Sequence, residues 1–430
     1  MIQDWIVKVT ATEKGQKLFQ SCDYSLYKKK KAAFETLPKN EKALYKGADD
    51  YIKKNGGPEL NSLNRNYMLL VEEIDAQVRS DNVLEVFPIE TIDHDIEIQD
   101  LLLSLEDEKH LQEIYKTKKR QVKKSGINQK DAMILKQCLR QGRSLLQAGL
   151  KAEMLAKPLI DFYAASAYAY AIIVLNSPLH KSIDTLKGSH GHTFNHNTKT
   201  VDFGGDIPGG TFLDLLCALS VVNLTQMEGQ QISLKYSVLS SVDMVQNNSI
   251  SISLVALLSM VPELSDHFDK LETGHKQVHK LSIDTGIVNS KVTYNFYIGD
   301  GINKPQKDIL KKCFNTDVIS ENQGSYKVSV DADKITTISP VIYQDMYGQL
   351  WYIESPIEDL YLPEVCLHFL IISALCNIMR YSPHEWSDIL TNRTSSKFSL
   401  VINQYIRVFE RKFPLVITQY LSNYNTILKK

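Results

Sequence analysis

The apolar positions of this chain change period along its length. Residues 1–15 alternate apolar and polar, which predicts a short strand or irregular lead-in. From Lys17 to Tyr51 the spacing is helical, with Leu18, Phe19, Tyr27, Phe34, Leu37, Leu44 and Tyr45 on the repeating positions. Asn55-Gly56-Gly57-Pro58 breaks the run, and a helix follows near 62–79. The helical period resumes after Ser125-Gly126-Ile127-Asn128. Asn128 is suited to cap a helix running to about Leu155, with Met133, Ile134, Cys138, Leu145, Leu146 and Leu150 facing inward. A second helix opens at Pro158, where a missing N–H costs nothing. Its alanines (Ala164, Ala165, Ala167, Ala169 and Ala171) let a neighbouring helix come close.

From about 200 the period falls to two. Val201 and Phe203, Gln231 to Val242, Ser249 to Val255 and Lys291 to Tyr297 read as strands. Thr211 to Leu219 and residues 301–315 interrupt them as helices. Tyr326 to Val330 and Lys334 to Ile338 predict a hairpin, and Val341 to Ile353 predicts strands around Gly348. The chain then becomes helical again from Pro363. That helix stops at Arg380-Tyr381-Ser382-Pro383, because a residue before proline avoids the α conformation. Helices near 384–390 and 398–411 follow, and Pro414 is expected to start a last one over 415–423. The pattern predicts a helix-rich α+β fold. A central mixed or antiparallel β region (200–355) is bracketed by helices 128–176 and 361–423, which pack on each other. Residues 1–125 form a mostly helical region ahead of a body at 126–430.

Composition changes this picture little. The 430 residues are 43% hydrophobic and 23% charged, enough apolar material for real cores. The net charge of −1 gives no overall pull toward polyanions. Locally the signs separate. Residues 81–108 are acidic, and 109–143 are basic with Lys118, Lys119, Arg120, Lys123 and Lys124 at their centre. These five are the candidates for nucleic-acid contact; the alternative is pairing with the acidic block. The six cysteines form no Cys-x-x-Cys pair. The apolar runs at 164–175 and 365–379 are too short or too polar for a span, and the N-terminus has no signal-like core. A cytoplasmic protein without membrane contact is expected.

Unusual chemistry gathers between Lys157 and Asp206. His190, Gly191, His192 and His196 sit in one loop, followed by Gly204 and Gly205 in a glycine-rich turn. Imidazole and carboxylate groups suit a divalent metal, and exposed glycine N–H groups suit a phosphate. Neither a metal-ligand spacing nor a P-loop is complete, so no metal and no cofactor is assigned. His275 and His279 lie four apart without the intervening Glu of a zinc-protease motif. Arg380 and His384 flank Tyr381-Ser382-Pro383. An Arg that holds a phosphate beside a His acid/base can cut RNA without metal, as HEPN-type ribonucleases do. The gap of three residues here is shorter than theirs, and Pro383 breaks the helix.

Two stretches together resemble the bacterial YaaC-like family. One is Pro158 to Phe203, with Leu179-His180, His190-Gly191 and Phe194. The other is Leu362 to Leu421, with His368-Phe369-Leu370, Met379-Arg380-Tyr381, Pro383-His384-Glu385-Trp386 and Arg411-Lys412-Phe413-Pro414. The resemblance implies a bacterial protein and carries over no catalytic residue. The leading expectation is a non-catalytic binding or assembly component, with a protein partner or a second copy of itself, in a phage-defence or stress system. The alternatives are a HEPN-like ribonuclease using Arg380 and His384, and a nucleotide or metal binder at 188–210. Nucleic acid could also be met through 109–143.

Overall fold

The helices foreseen at 128–176 and 361–423 form and pack against one another in the computed structural model. The structure describes residues 85–89, 94–118, 127–177, 182–186, 188–219, 221–226, 232–237, 239–269, 277–288, 291–299, 304–317, 319–322, 324–338, 340–391, 398–422 and 424–428. The strand and helices expected within 1–79 lie outside these residues.

In chain order the elements begin with β1 (Glu85–Ile89), α1 (His94–Ser104), α2 (Glu108–Lys118), α3 (Gln129–Lys151) and α4 (Lys157–Asn176). Next come β2 (His192–Asn195), β3 (Thr200–Gly204), α5 (Thr211–Ala218), β4 (Val221–Gln226), β5 (Ile232–Ser237), α6 (Leu239–Asn247), β6 (Ser249–Ser253), α7 (Leu254–Ser259) and α8 (Ser265–Asp269). Then follow β7 (Val278–Val288), β8 (Lys291–Ile298), α9 (Lys307–Cys313), β9 (Ile319–Asn322), β10 (Ser325–Asp331), β11 (Val341–Gln344) and β12 (Leu350–Ile353). The chain closes with α10 (Glu364–Tyr381), α11 (Pro383–Leu390), α12 (Phe398–Leu421) and β13 (Tyr424–Leu428).

The Asn128 side chain accepts the Asp131 N–H at 2.8 Å and caps α3 as its chemistry predicts. Leu135, Leu139 and Leu146 then bury one face of α3 against α4, whereas Met133 and Leu150, expected to face inward, fall beside that face and are exposed. The approach is close at Gly142, where a Cβ would come within 2.7 Å of the Tyr168 ring. Helices α4 and α10 are apolar nearly all round because both lie inside the core. Each is long and apolar enough to cross a membrane, longer than the runs at 164–175 and 365–379 suggested, and 78% of each apolar window is buried inside the fold.

The β region is antiparallel. Six strands in the order β11-β12-β7-β8-β10-β9 form the main sheet, and β2-β3-β6 form a smaller one beside α5 and α6. β4 and β5 form a separate hairpin. β1 and β13 pair in parallel, Glu85 opposite Tyr424, and so tie the two ends of the described chain. Helices α1 and α2 share the core with the rest through Ile98, Leu102, Leu111 and Tyr115. The division expected at residue 125 therefore falls between helices that pack together.

Four further expectations need correction. The strand expected to run to Val242 ends at Ser237, because Val242 and Val245, three apart and both buried, form the inner face of α6. The strand expected to run to Val255 ends at Ser253, whose hydroxyl accepts the Ala256 N–H at 3.1 Å and starts α7. Lys334 to Ile338 is not the partner of β10. That segment belongs to a 3₁₀ turn, and β10 lies between β8 and β9, with Val328 and Val330 buried. Pro414 does not start a helix; it sits inside α12. The stacked rings of Phe409 and Phe413, 4.6 Å apart, and the buried run Leu415–Ile417 outweigh the hydrogen bond that proline cannot donate.

Trp386 joins the two helical groups. Its indole is fully buried, and its N–H donates to the Leu155 carbonyl at 3.1 Å. Trp386→Ala is expected to cost about 3–5 kcal/mol in urea denaturation. Trp386→Phe, which keeps most of the volume and leaves the carbonyl unpaired, should cost about 1–3 kcal/mol.

Candidate functional site

The loop carrying His190, Gly191 and His192 is seated on the start of α5. The Ser189 carbonyl accepts the N–H and the hydroxyl of Thr211, and the His190 carbonyl accepts the Phe212 N–H at 3.0 Å. The seating leaves no room for side chains. Gly191 has φ +77°, and a Cβ there would lie 2.9 Å from the Gly210 nitrogen. Gly204 and Gly205 also have positive φ, and a Cβ at Gly204 would meet the Val245 and Asn248 carbonyls at 2.4 Å. The Gly191 N–H donates to the Ser189 hydroxyl, and that of Gly205 to the Val245 carbonyl. The glycines thus serve close backbone contact, and the N–H groups of Gly191 and Gly205 are engaged.

His192 points inward to α10. Its Nδ1 lies 3.2 Å from the His190 carbonyl and its Nε2 lies 2.6 Å from the Ser373 hydroxyl. A carbonyl only accepts, so Nδ1 carries the proton and Ser373 donates to Nε2. Burial, and then the neighbouring His190, lower the His192 pKa to about 4, which keeps the ring neutral at pH 7. His190 packs edge-on against Phe162 at 4.9 Å, and its Nδ1 is enclosed without a hydrogen-bond partner. Burial lowers its pKa, and the nearby Arg380 charge adds to this.

The two stretches that resemble the YaaC-like family meet here. Besides the His192–Ser373 bond, His196 Nδ1 lies 3.3 Å from the Ser382 hydroxyl, and Lys199 pairs with Glu385 at 2.7 Å. Arg380 ends α10 and is exposed, with its guanidinium 4.9 Å from the Tyr381 ring centre. Burial pushes the thiol of Cys376 up to about 11, against the pull of the Arg380 charge. His384 is exposed in the first turn of α11. The chain turns at Ser382, so Arg380 and His384 stand on different helices.

Within the charged blocks, Lys136 pairs with Glu108 at 2.9 Å and Arg143 with Glu106 at 2.5 Å. These bonds join basic to acidic residues inside the fold. Lys119, Arg120, Lys123, Lys124 and the Lys118 side chain lie outside the described residues, as does His275. His279 lies on strand β7. Among the described residues no three His, Cys, Asp or Glu side chains gather to hold a metal ion.

The pattern of the sequence missed a chain of buried polar groups between α4, α10 and α12. Lys412 is 3% exposed, donates to the Gln344 carbonyl and lies 3.3 Å from both Glu263 and Glu364. Burial opposes its charge, but the carboxylates of Glu263, Glu364 and Asp345 outweigh that and raise its pKa. Glu364 is held above the usual carboxylate range by burial, against the pull of Lys412. His368 Nδ1 lies 3.1 Å from the Tyr405 hydroxyl, and burial followed by the Lys412 charge lowers its pKa to about 3. At the other pole Lys157 donates to the Gly149 carbonyl at 2.7 Å and to Glu410. Beside it Asp161 is fully buried, with both oxygens lacking a hydrogen-bond partner. Burial, then Glu410, raise its pKa to about 8. A composition count sees these residues as ordinary surface charges. The signal that could have marked two of them is position, since Asp161 and Glu364 each interrupt an otherwise apolar stretch, whereas Lys412 follows Glu410 and Arg411 and carries no such mark.

A family model described as YaaC-like protein matches residues 102–421, most of the chain. No curated protein and no solved structure matches it.

Asp161 makes stability depend on pH. Its folded pKa of about 8 lies above the unfolded value of about 4, so the native state holds the extra proton between them. Stability is full below pH 4 on this account and falls as pH rises toward 8, by up to about 1.4 kcal/mol per unit. Asp161→Asn should flatten that slope and be the more stable protein at pH 8.5, measured by urea denaturation at several pH values. Identical slopes would rule the assignment out.

Proposed function

The chain belongs to the YaaC-like family, and we propose that it works as a non-catalytic binding and assembly component of a bacterial system, meeting a second copy of itself through the turn between α10 and α11. The observation that carries this reading is Tyr381. Its side chain is 61% exposed, bears the Arg380 guanidinium over one face and is met edge-on by His196. Exposed Tyr and Arg side chains held rigid by their neighbours are what strong protein contacts are built on. Leu155, 55% exposed, adjoins the turn through the Trp386 bond to its carbonyl.

The charges favour a second copy. Arg380 and His384 share the surface with Glu385 and Asp388, and Glu385 is paired with Lys199. A patch carrying both signs is self-complementary across a twofold axis, as an isologous contact requires. A phosphate backbone would favour cations alone. The defence or stress setting rests on family type. Metal-independent RNA cleavage by Arg380 and His384 is a second reading, favoured by the exposure of both side chains on one turn. The nucleotide or metal reading at 188–210 gains nothing from the geometry, since His192 and the N–H groups of Gly191 and Gly205 are already bonded within the chain.

Sedimentation of the full chain across a concentration series is expected to show a dimer. Tyr381→Ala and Arg380→Glu should each weaken it at least tenfold, about 1.4 kcal/mol. A parent protein that stays monomeric defeats the assembly reading. For the second reading, RNA is incubated with the protein in a chelator. Cleavage that disappears in Arg380→Ala and His384→Ala would support it, and an intact substrate ends it.

A further inference from the structure

A cleft of about 750 Å³ opens between the ends of β7 and β12, helix α9 and residues 354–361. That volume lies in the range of sites for small organic ligands. Tyr352, Tyr361, Ile309 and Ile357 give it apolar walls. The two stretches that carry the resemblance and the turn described above lie outside this part of the fold.

The charges of the cleft are unevenly satisfied. Lys312 is already spent, with its ammonium 2.5 Å from Glu358 and 2.9 Å from Asp359. Lys304 pairs with Glu321 and lies over the Tyr326 ring. Neither lysine is left for an anionic ligand. Glu354 differs. Its side chain is 14% exposed, and its Oε2 accepts the Gln306 N–H at 3.1 Å and lies 3.5 Å from His279 Nε2. Its own N–H donates to the Gln277 carbonyl at 2.7 Å, which fixes where the carboxylate stands. Among the described residues no lysine or arginine comes within ion-pair distance of it. Cys313 and Tyr352 on the inner wall add no charge. Both are pushed up, by burial first and partly by the Glu354 charge, so thiol and phenol stay neutral.

A carboxylate drawn largely out of water, with one N–H donor and an imidazole at 3.5 Å, costs free energy that a bound cation would offset. We propose that the cleft binds a small organic cation, a primary amine or guanidine with a short apolar stem. The cationic head pairs with Glu354, and the stem lies along Ile309, Ile357 and the tyrosines. An ammonium brings donors that match the carboxylate, and an alkyl stem matches the apolar walls.

The test is calorimetric titration of the full chain with cadaverine and with agmatine, and with glutarate as the anionic counterpart. Saturable binding of the two cations and none of glutarate is expected. Glu354→Gln, which can still accept the Gln306 N–H, should weaken cation binding at least tenfold. Ile357→Trp, which fills the cleft and leaves Glu354 in place, should abolish it and decides the matter should Glu354→Gln fail to fold. No cation binding by the parent, preferential binding of glutarate, or unchanged binding in the variants overturns the proposal.

Discussion

The ammonium of Lys412 is the constraint on which the architecture depends. It lies at 3% exposure inside the core, and an unpaired charge there would be prohibitive. Its partners come from three separate parts of the chain: Glu263 from the 3₁₀ turn before α8, Glu364 from the start of α10, and the Gln344 carbonyl from β11. Each must be delivered for the others to be buried. Glu263 also accepts the Met346 N–H at 3.1 Å, and the Met346 carbonyl accepts the Leu428 N–H at 2.7 Å. One side chain on α12 therefore ties the helical layer to the edge of the main sheet and to the terminal strand pair.

The histidine loop depends on this frame. α10 carries Glu364 to Lys412 at its start, Ser373 to His192 in its middle and Arg380 beside His190 at its end. Once the first contact fixes α10, the other two positions follow along the same helix. His192 then works as a neutral hydrogen-bonding wedge. The exposed groups, Tyr381, Arg380 and His384, are left at the rim, where recognition by a partner costs the core nothing.

Much of this is legible in the sequence, and the reasons are local. Asn128 and Pro158 announce helix starts, the alternation of Lys291 to Tyr297 announces a strand, and Pro383 announces the break after α10. What is illegible depends on distant partners. Val242 and Val245 fit a strand or a helix until β3 and α5 pack against them. The place of β10 is set by the open edge of β8, thirty residues upstream, and Pro414 is tolerated only because both flanks of α12 are buried. The meeting of His192 with Ser373 joins positions 181 residues apart. Residue types alone marked the histidines and Arg380 as unusual; only packing separates a buried hydrogen-bonding imidazole from an exposed one.

The buried charges call for a reason other than stability, since apolar residues of similar volume would commonly be at least as stabilising. The reason lies in the helices themselves. α4 and α10 are apolar on almost every face, so the hydrophobic pattern does not say how each is rotated. The polar groups do. Lys157 and Asp161 lie four apart on one face of α4, and Glu364 and His368 lie four apart on one face of α10. Both faces turn toward α12, where Glu410 receives Lys157, Tyr405 receives His368 and Lys412 receives Glu364. A rotation of either helix by a quarter turn would strand a charge in the core. The network thus selects one arrangement from several of similar apolar burial, and that arrangement is what presents Tyr381 at the surface and seats His192 against Ser373.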